Sequence, residues 1–242
     1  MYEKFKDFQL VIFGLILGLS FLIGANIITK HISKGGIYVT GSSFAIVKSD
    51  SASWMIQFTT RGKTNADAYN ALKSQLPTVL TYLKSNGIPD EQIDIAPASS
   101  YTTFKTDPKT GYSTGDIAYY NYNQAIKVSD DDVQLIKRLS NSIQELNSKG
   151  IELSSNSPEY QYSKMSELKV KLLQEATKDS KERAKAMLKA NNNRVGKILS
   201  VKMGVFQITT PDSNSVSDEG INDSSTIEKK VTAVANVFYQ IK

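Results

Sequence analysis

The chain has 242 residues, a formal net charge of +5 and no cysteine, which excludes disulfides, thiol nucleophiles and zinc–thiolate centres. With 40% hydrophobic and 22% charged residues it has ordinary globular proportions, and its mild basic excess falls well short of the concentrated charge of a nucleic-acid binder. The single histidine, His31, stands near the N-terminus and excludes a Ser-His-Asp or other histidine-based site in the body of the chain.

From the N-terminus, residues 1–9 form a short flank, and residues 10–28, LVIFGLILGLSFLIGANII, carry no charge. A helix over this stretch spans about 28 Å, close to the ~30 Å hydrocarbon core of a bilayer. In lipid only a helix satisfies the backbone of a lone segment. The expectation is an uncleaved signal-anchor. The stretch is longer than a secretory signal's apolar region, and Ile23 spoils the small-residue pattern for cleavage after Ala25. Lys4 and Lys6 on one side balance Lys30 and Lys34 on the other, so lysine counts leave the orientation open. The N-terminal position favours the remainder on the periplasmic or extracellular side. Gly14 and Gly18 make a G-x-x-x-G pair, a spacing that lets two membrane helices approach closely. Residues 29–36 read as a juxtamembrane linker to a domain over 37–242.

Residues 37–47 and 54–60 read as strands, and Ser49-Asp50-Ser51 between them predicts an antiparallel hairpin. Thr64 with Asp67 opens a helix whose apolar face is Tyr69, Leu72, Leu76, Val79, Leu80 and Leu83. Gly87 ends it, and Pro77 inside it predicts a kink or a break. Strands over 92–105 and 117–128 follow, joined by a turn at Asp107-Pro108-Lys109-Thr110-Gly111. The second alternates Ala118, Tyr120, Tyr122, Gln124, Ile126 and Val128 on one side. Asp130, Asp131 and Asp132 start a second helix with Val133, Ile136, Leu139, Ile143 and Leu146 on its buried face. A strand over 151–162, a long helix over 164–191 capped by Ser163, and strands over 195–209 and 227–241 complete the order. Residues 210–226 have no hydrophobic period and read as a flexible loop.

The order ββαββαβαββ, with hairpins and helices that do not strictly alternate, argues for an α+β fold of mostly antiparallel sheet with helices packed on one face. Several segments stand out in this setting: Ile37-Tyr38-Val39-Thr40-Gly41, LKSNGIPDEQIDI over 83–95, the Tyr-rich stretch 120–128, Asn156-Ser157-Pro158-Glu159-Tyr160-Gln161-Tyr162 leading into 168–176, Gly204-Val205-Phe206-Gln207-Ile208 and Ile227-Glu228-Lys229-Lys230-Val231. Together, over about residues 37–241, they resemble the SIMPL (DUF541) family in its membrane-anchored bacterial branch. The resemblance implies a periplasmic or cell-envelope setting, a link to oxidative stress defence and, in some members, ring-like or channel-like oligomers. It supplies no catalytic motif.

The residues themselves offer little catalytic chemistry. There is no phosphate-binding glycine loop, no dinucleotide fingerprint and no nucleophile elbow. A carboxylate-only site leaves Asp130, Asp131 and Asp132, which suit a helix start, and Glu159 beside Tyr160 and Tyr162. Asp212, Asp218, Glu219 and Asp223 match no calcium-loop spacing, and neither metal nor cofactor is expected. Between Lys164 and Lys202, eleven Lys and Arg face four Asp and Glu, a net +7. Lys178, Lys181, Arg183, Lys185 and Lys189 form a basic face that could meet an anionic surface. Tyr119, Tyr120, Tyr122, Tyr160 and Tyr162 could form an aromatic association surface or pack across strands. The expected function is therefore that of a non-enzymatic, membrane-tethered envelope protein acting by self-assembly or partner binding. It would be a homo-oligomer without nucleic acid, with any small-molecule ligand unknown. The alternatives are an enzyme with a carboxylate-only site and an anionic-surface-binding module.

Overall fold

The computed structural model describes residues 12–25 and 35–242. Residues 12–25 are helical (α1) and expose their large apolar side chains, among them Phe13, Leu15 and Phe21. The ends of the expected 10–28 anchor, and the flanking Lys4, Lys6, Lys30, His31 and Lys34, lie outside the described residues. Among the described residues no helix is long and apolar enough to cross a membrane.

After α1 come β1 (Gly36–Lys48), β2 (Ser51–Gly62), α2 (Asn65–Ser85), β3 (Ile93–Ile95), β4 (Ser99–Thr106), β5 (Ser113–Asp130) and α3 (Val133–Ser142). Then follow β6 (Glu152–Ser155), β7 (Glu159–Gln161), α4 (Met165–Lys189), β8 (Val195–Met203), β9 (Gln207–Thr209), β10 (Ile221–Asn222) and β11 (Glu228–Ile241). The class is α+β, as expected, but the expected strands 92–105, 151–162 and 195–209 are each two strands. Pro97 and Pro158 lie in the first two breaks and cannot donate to a ladder. In the third, the Gly204 N–H turns to the Val234 carbonyl. The chain forms two compact units, Phe44–Val170 with Phe206–Thr232, and residues up to Ser43 with Lys171–Val205 and Ala233–Lys242. β1, α4 and β11 contribute residues to both.

The larger unit is built on β2. It pairs antiparallel with β5 in the register Trp54↔Val128, Ile56↔Ile126 and Phe58↔Gln124. Its other edge takes β6 and β7, while β3 and β4 pair with β5. Side chains alternate across a strand, so Ala52, Trp54, Ile56 and Phe58 share a face with Ile126 and Val128. Leu72, Val79 and Leu83 of α2 and Ile136 and Leu139 of α3 join them in one buried core. The indole N–H of Trp54 donates to the Asn156 carbonyl at 3.0 Å, so its burial leaves no orphan donor. Here the helices do lie on one face.

Four local expectations need correction. The β1–β2 hairpin does not form: β1 pairs with β11, and β2 belongs to the other sheet. The turn's own donors lead elsewhere, Ser49 N–H to Ile227 O and Asp50 N–H to Gln161 O. Pro77 does not split α2, which runs uninterrupted behind the Thr64–Asp67 capping box. The C-terminal part of the second helix, Ile143–Lys149, is a 3-10 turn that ends at Gly150 with φ +78. Ser163 donates both its N–H and its hydroxyl to Asp50, at 2.8 and 2.6 Å, so a carboxylate from the β1–β2 turn fixes the chain leading into α4.

The stretch 210–226 also carries structure. β10 pairs parallel with β9. The Gln207 amide donates to Ser217 O at 2.7 Å and accepts from Ser217 N–H at 3.3 Å. A buried glutamine thus supplies the partners that hydrophobic periodicity did not announce.

In the smaller unit, β8 pairs antiparallel with β11 (Val201↔Val237). The inward residues Ala233, Ala235, Val237 and Tyr239 are buried, and α4 buries Leu172, Ala176, Ser180, Ala184 and Leu188, every fourth residue. Gly41 lets β1 meet the helix backbone: a Cβ there would stand 2.1 Å from the Ala176 carbonyl oxygen. Ser180 and Tyr239 share a buried hydroxyl–hydroxyl hydrogen bond of 2.9 Å.

Candidate functional site

Most of the sequence candidates have structural occupations. The Asp132 carboxylate accepts from Gln134 and Leu135 N–H and caps α3, and Asp130 accepts from the Asp132 N–H. Lys178, Lys181, Lys185 and Lys189 share one exposed stripe of α4 at spacings of three and four residues. Arg183 falls outside that stripe and pairs with Asp179 at 2.8 Å, while Lys185 pairs with Glu182. The tyrosines do not form one surface. Tyr119 lies under Arg61, Tyr122 packs on Tyr69 and donates to Asn65, and Tyr160 belongs to the buried core. Gly14 and Gly18 have open space around them, with nothing within 4 Å of a built Cβ.

One constellation gathers residues that the sequence leaves apart. β7, the first turns of α4, β9, the segment after β10 and the start of β11 enclose a cleft of about 450 Å³. Glu159, Tyr160 and Tyr162 line it with Met165, Lys169 and Lys229. Its walls are tied by backbone hydrogen bonds, Tyr160 N–H to Ser224 O at 2.7 Å and Asp223 N–H to Ile208 O at 2.9 Å.

Lys229 is 2% exposed, on the inward side of β11 in phase with Val231 and Ala233. Its ammonium donates to the Asp223 carbonyl oxygen at 2.6 Å, and an ammonium has three donors to place. Burial pushes the Lys229 pKa down, and the neighbouring Asp223 charge offsets part of that. The Asp223 carboxylate is itself occupied, accepting from Ser225 N–H and hydroxyl at 2.8 and 2.7 Å and from the Thr226 hydroxyl. Burial pushes the Asp223 carboxyl up, but those hydrogen bonds outweigh it and leave it below the ordinary value.

Tyr160 is 6% exposed, and its hydroxyl has no hydrogen-bond partner among the described residues. Burial raises its pKa, which keeps the hydroxyl protonated and able to donate. Lys169 reaches over the Phe206 ring at 5.3 Å. Among the described residues no group of three His, Cys, Asp or Glu is placed to hold a metal.

Sequence reasoning singles out Glu159 and the tyrosines beside it but passes over Lys229. A signal for it exists: Lys229, Val231, Ala233, Ala235, Val237 and Tyr239 alternate without interruption, and a lysine in that phase must be buried or strained. Nothing in the sequence signals that Tyr160 lines the same cleft, because that depends on where 210–226 folds.

A second feature belongs to the smaller unit. Among the described residues β8 pairs with β11 alone, and no other strand lies on its second edge. Ile198, Leu199, Val201 and Met203 along it are each about half exposed. No curated protein matches the chain. The model of the SIMPL family, described as a protein of unknown function (DUF541), matches residues 37–239. The chain belongs to the SIMPL family.

Proposed function

We propose that this SIMPL domain belongs to a non-enzymatic cell-envelope protein, held to a membrane through residues 10–28 and acting by self-association. A supporting role in envelope or oxidative stress defence fits that reading. The observation that carries it is the second edge of β8, on which no other described strand lies. An exposed strand edge offers unpaired N–H and C=O groups as a template for another chain, and four half-exposed apolar side chains add hydrophobic area to it. A second copy is the natural occupant. Two β8 edges meeting antiparallel about a two-fold axis would satisfy each other's backbone and bury the same residues on both sides. For the tether, support comes from the uncharged run itself and from the exposed apolar side chains of α1, with the domain placed on the periplasmic or extracellular side.

The native mass of the detergent-extracted chain at micromolar concentration tests the association, with Leu199→Asp and Val201→Asp together as the variant. The expected result is a multimer for the parent and a monomer for the variant, at unchanged melting temperature. A parent that is strictly monomeric refutes the reading. Protease accessibility in intact against lysed cells tests the side of the membrane.

The stripe of Lys178, Lys181, Lys185 and Lys189 supports a second reading, contact with an anionic lipid surface. Salt-sensitive binding to anionic vesicles, lost on reversing three of these charges, is its expected outcome; binding unchanged by the reversals refutes it.

A further inference from the structure

We propose that the cleft over Lys229 and Tyr160 is a binding site for a small organic carboxylate. The association reading does not use this cleft. Two residues more than nine-tenths buried line it: Lys229, whose ammonium has three donors and one acceptor among the described residues, and Tyr160, whose hydroxyl has none. A buried ammonium with one acceptor for three donors is under-satisfied, and a charge-assisted hydrogen bond to an oxyanion is the strong way to complete its set. The protein's own carboxylates do not meet the demand. The Asp223 carboxylate acts on Lys229 through its charge but makes no hydrogen bond to the ammonium, accepting instead from Ser225 and Thr226, and Glu159 is exposed at the cleft's surface.

The same inventory selects the ligand class. The charged lining residues are Lys169 and Lys229 against Glu159 and Asp223, which sum to zero. A monoanion is therefore accommodated more readily than a dianionic phosphate. Met165, Ile208 and Tyr162 supply apolar walls for a carbon body, and the volume lies within the ordinary range of small-molecule sites. A carboxylate that accepts from the Lys229 ammonium and the Tyr160 hydroxyl would raise the depressed lysine pKa again. Affinity should therefore fall as pH rises through the lysine's titration.

Calorimetric titration of the detergent-extracted full chain with butyrate, acetate and inorganic phosphate tests this, with empty micelles as the blank. Saturable binding is expected, ordered butyrate, acetate, phosphate. Lys229→Met should weaken it at least about tenfold and Tyr160→Phe about three- to tenfold. Tyr160→Phe removes a single unpartnered oxygen and keeps the core filled, so it decides the matter even where Lys229→Met fails to fold. If Lys229 merely props the Asp223 carbonyl, Tyr160→Phe leaves the titration unchanged, and that result overturns the proposal. Failure of the parent to bind any of the three probes overturns it too, as does a preference for phosphate.

Discussion

The two units solve the same packing problem with different side chains. In the larger, Trp54, Ile56 and Phe58 face Ile126, Val128 and the leucines of α2 and α3, and each is essentially out of solvent. In the smaller, Ala233 and Ala235 of β11 and Ala176, Ser180 and Ala184 of α4 are buried beside the larger Val237, Tyr239, Leu172 and Leu188. Large side chains give the first its stability through buried area. The second relies on close approach, in which Gly41 admits helix backbone against the strand. The smaller unit also carries apolar bulk at its surface, on Ile198, Leu199, Val201, Met203 and Met187. A unit whose edge strand carries half-exposed apolar groups of this size is suited to burying them against another molecule.

If this contrast is right, the two units should respond to opposite insults. Phe58→Ala removes a fully buried ring from the large-residue core and should cost about 3–5 kcal/mol in denaturant unfolding of the full chain. A cost below ~1 kcal/mol would mean that this core is not the main source of stability. In the smaller unit the sensitive change adds atoms. Gly41→Val places its Cβ 2.1 Å from the Ala176 carbonyl oxygen and 2.4 Å from the Ser180 nitrogen. Neither obstacle is a flexible side-chain end, so the expected loss is about 1–3 kcal/mol. Hydrogen exchange should localise the loosening to α4. A neutral Gly41→Val would erase the distinction between filled and close-packed interiors.

What the sequence discloses follows the same division. The period-two run of β5, with Tyr122, Gln124, Ile126 and Val128 on one side, is realised residue for residue in the register with β2. The Thr64–Asp67 cap and the Asp132 cap are likewise local chemistry that the chain states outright. Pairings across long separations are not stated. The turn at Ser49-Asp50 suggests a hairpin, yet β1 takes β11 as its partner, almost two hundred residues on. Of the candidate site, Glu159, Tyr160 and Tyr162 could be picked out as a cluster, and Lys229 could have been found from its inward phase. Their meeting could not, because it depends on 210–226 returning past β9, which polar residues such as Gln207 and Asp223 direct through hydrogen bonds rather than through hydrophobic period. Arg183 shows the reverse case: its departure from the lysine stripe is legible in the helical spacing alone.

The smallest effect expected concerns charge in the larger unit. The Ser163 hydroxyl, donating to Asp50, holds that carboxyl below its ordinary value near 3.8, aided by the Ser163 N–H at 2.8 Å. A carboxylate whose pKa is lower folded than unfolded contributes stability above the unfolded value, and the contribution is lost as pH falls through the folded one. Asp50→Asn should therefore lower stability at neutral pH by at most about 1 kcal/mol. The gap from the parent should narrow as pH drops from about 4 toward 2, where the parent's carboxylate is protonated as well. Unfolding midpoints for the two proteins, measured across that window, give the answer directly. A constant gap would show that the Asp50–Ser163 contact contributes through shape alone. A gap that closes would show that the chain entering α4 in the larger unit is held by an ionised carboxylate, a device absent from the hydroxyl pair of Ser180 and Tyr239 in the smaller one.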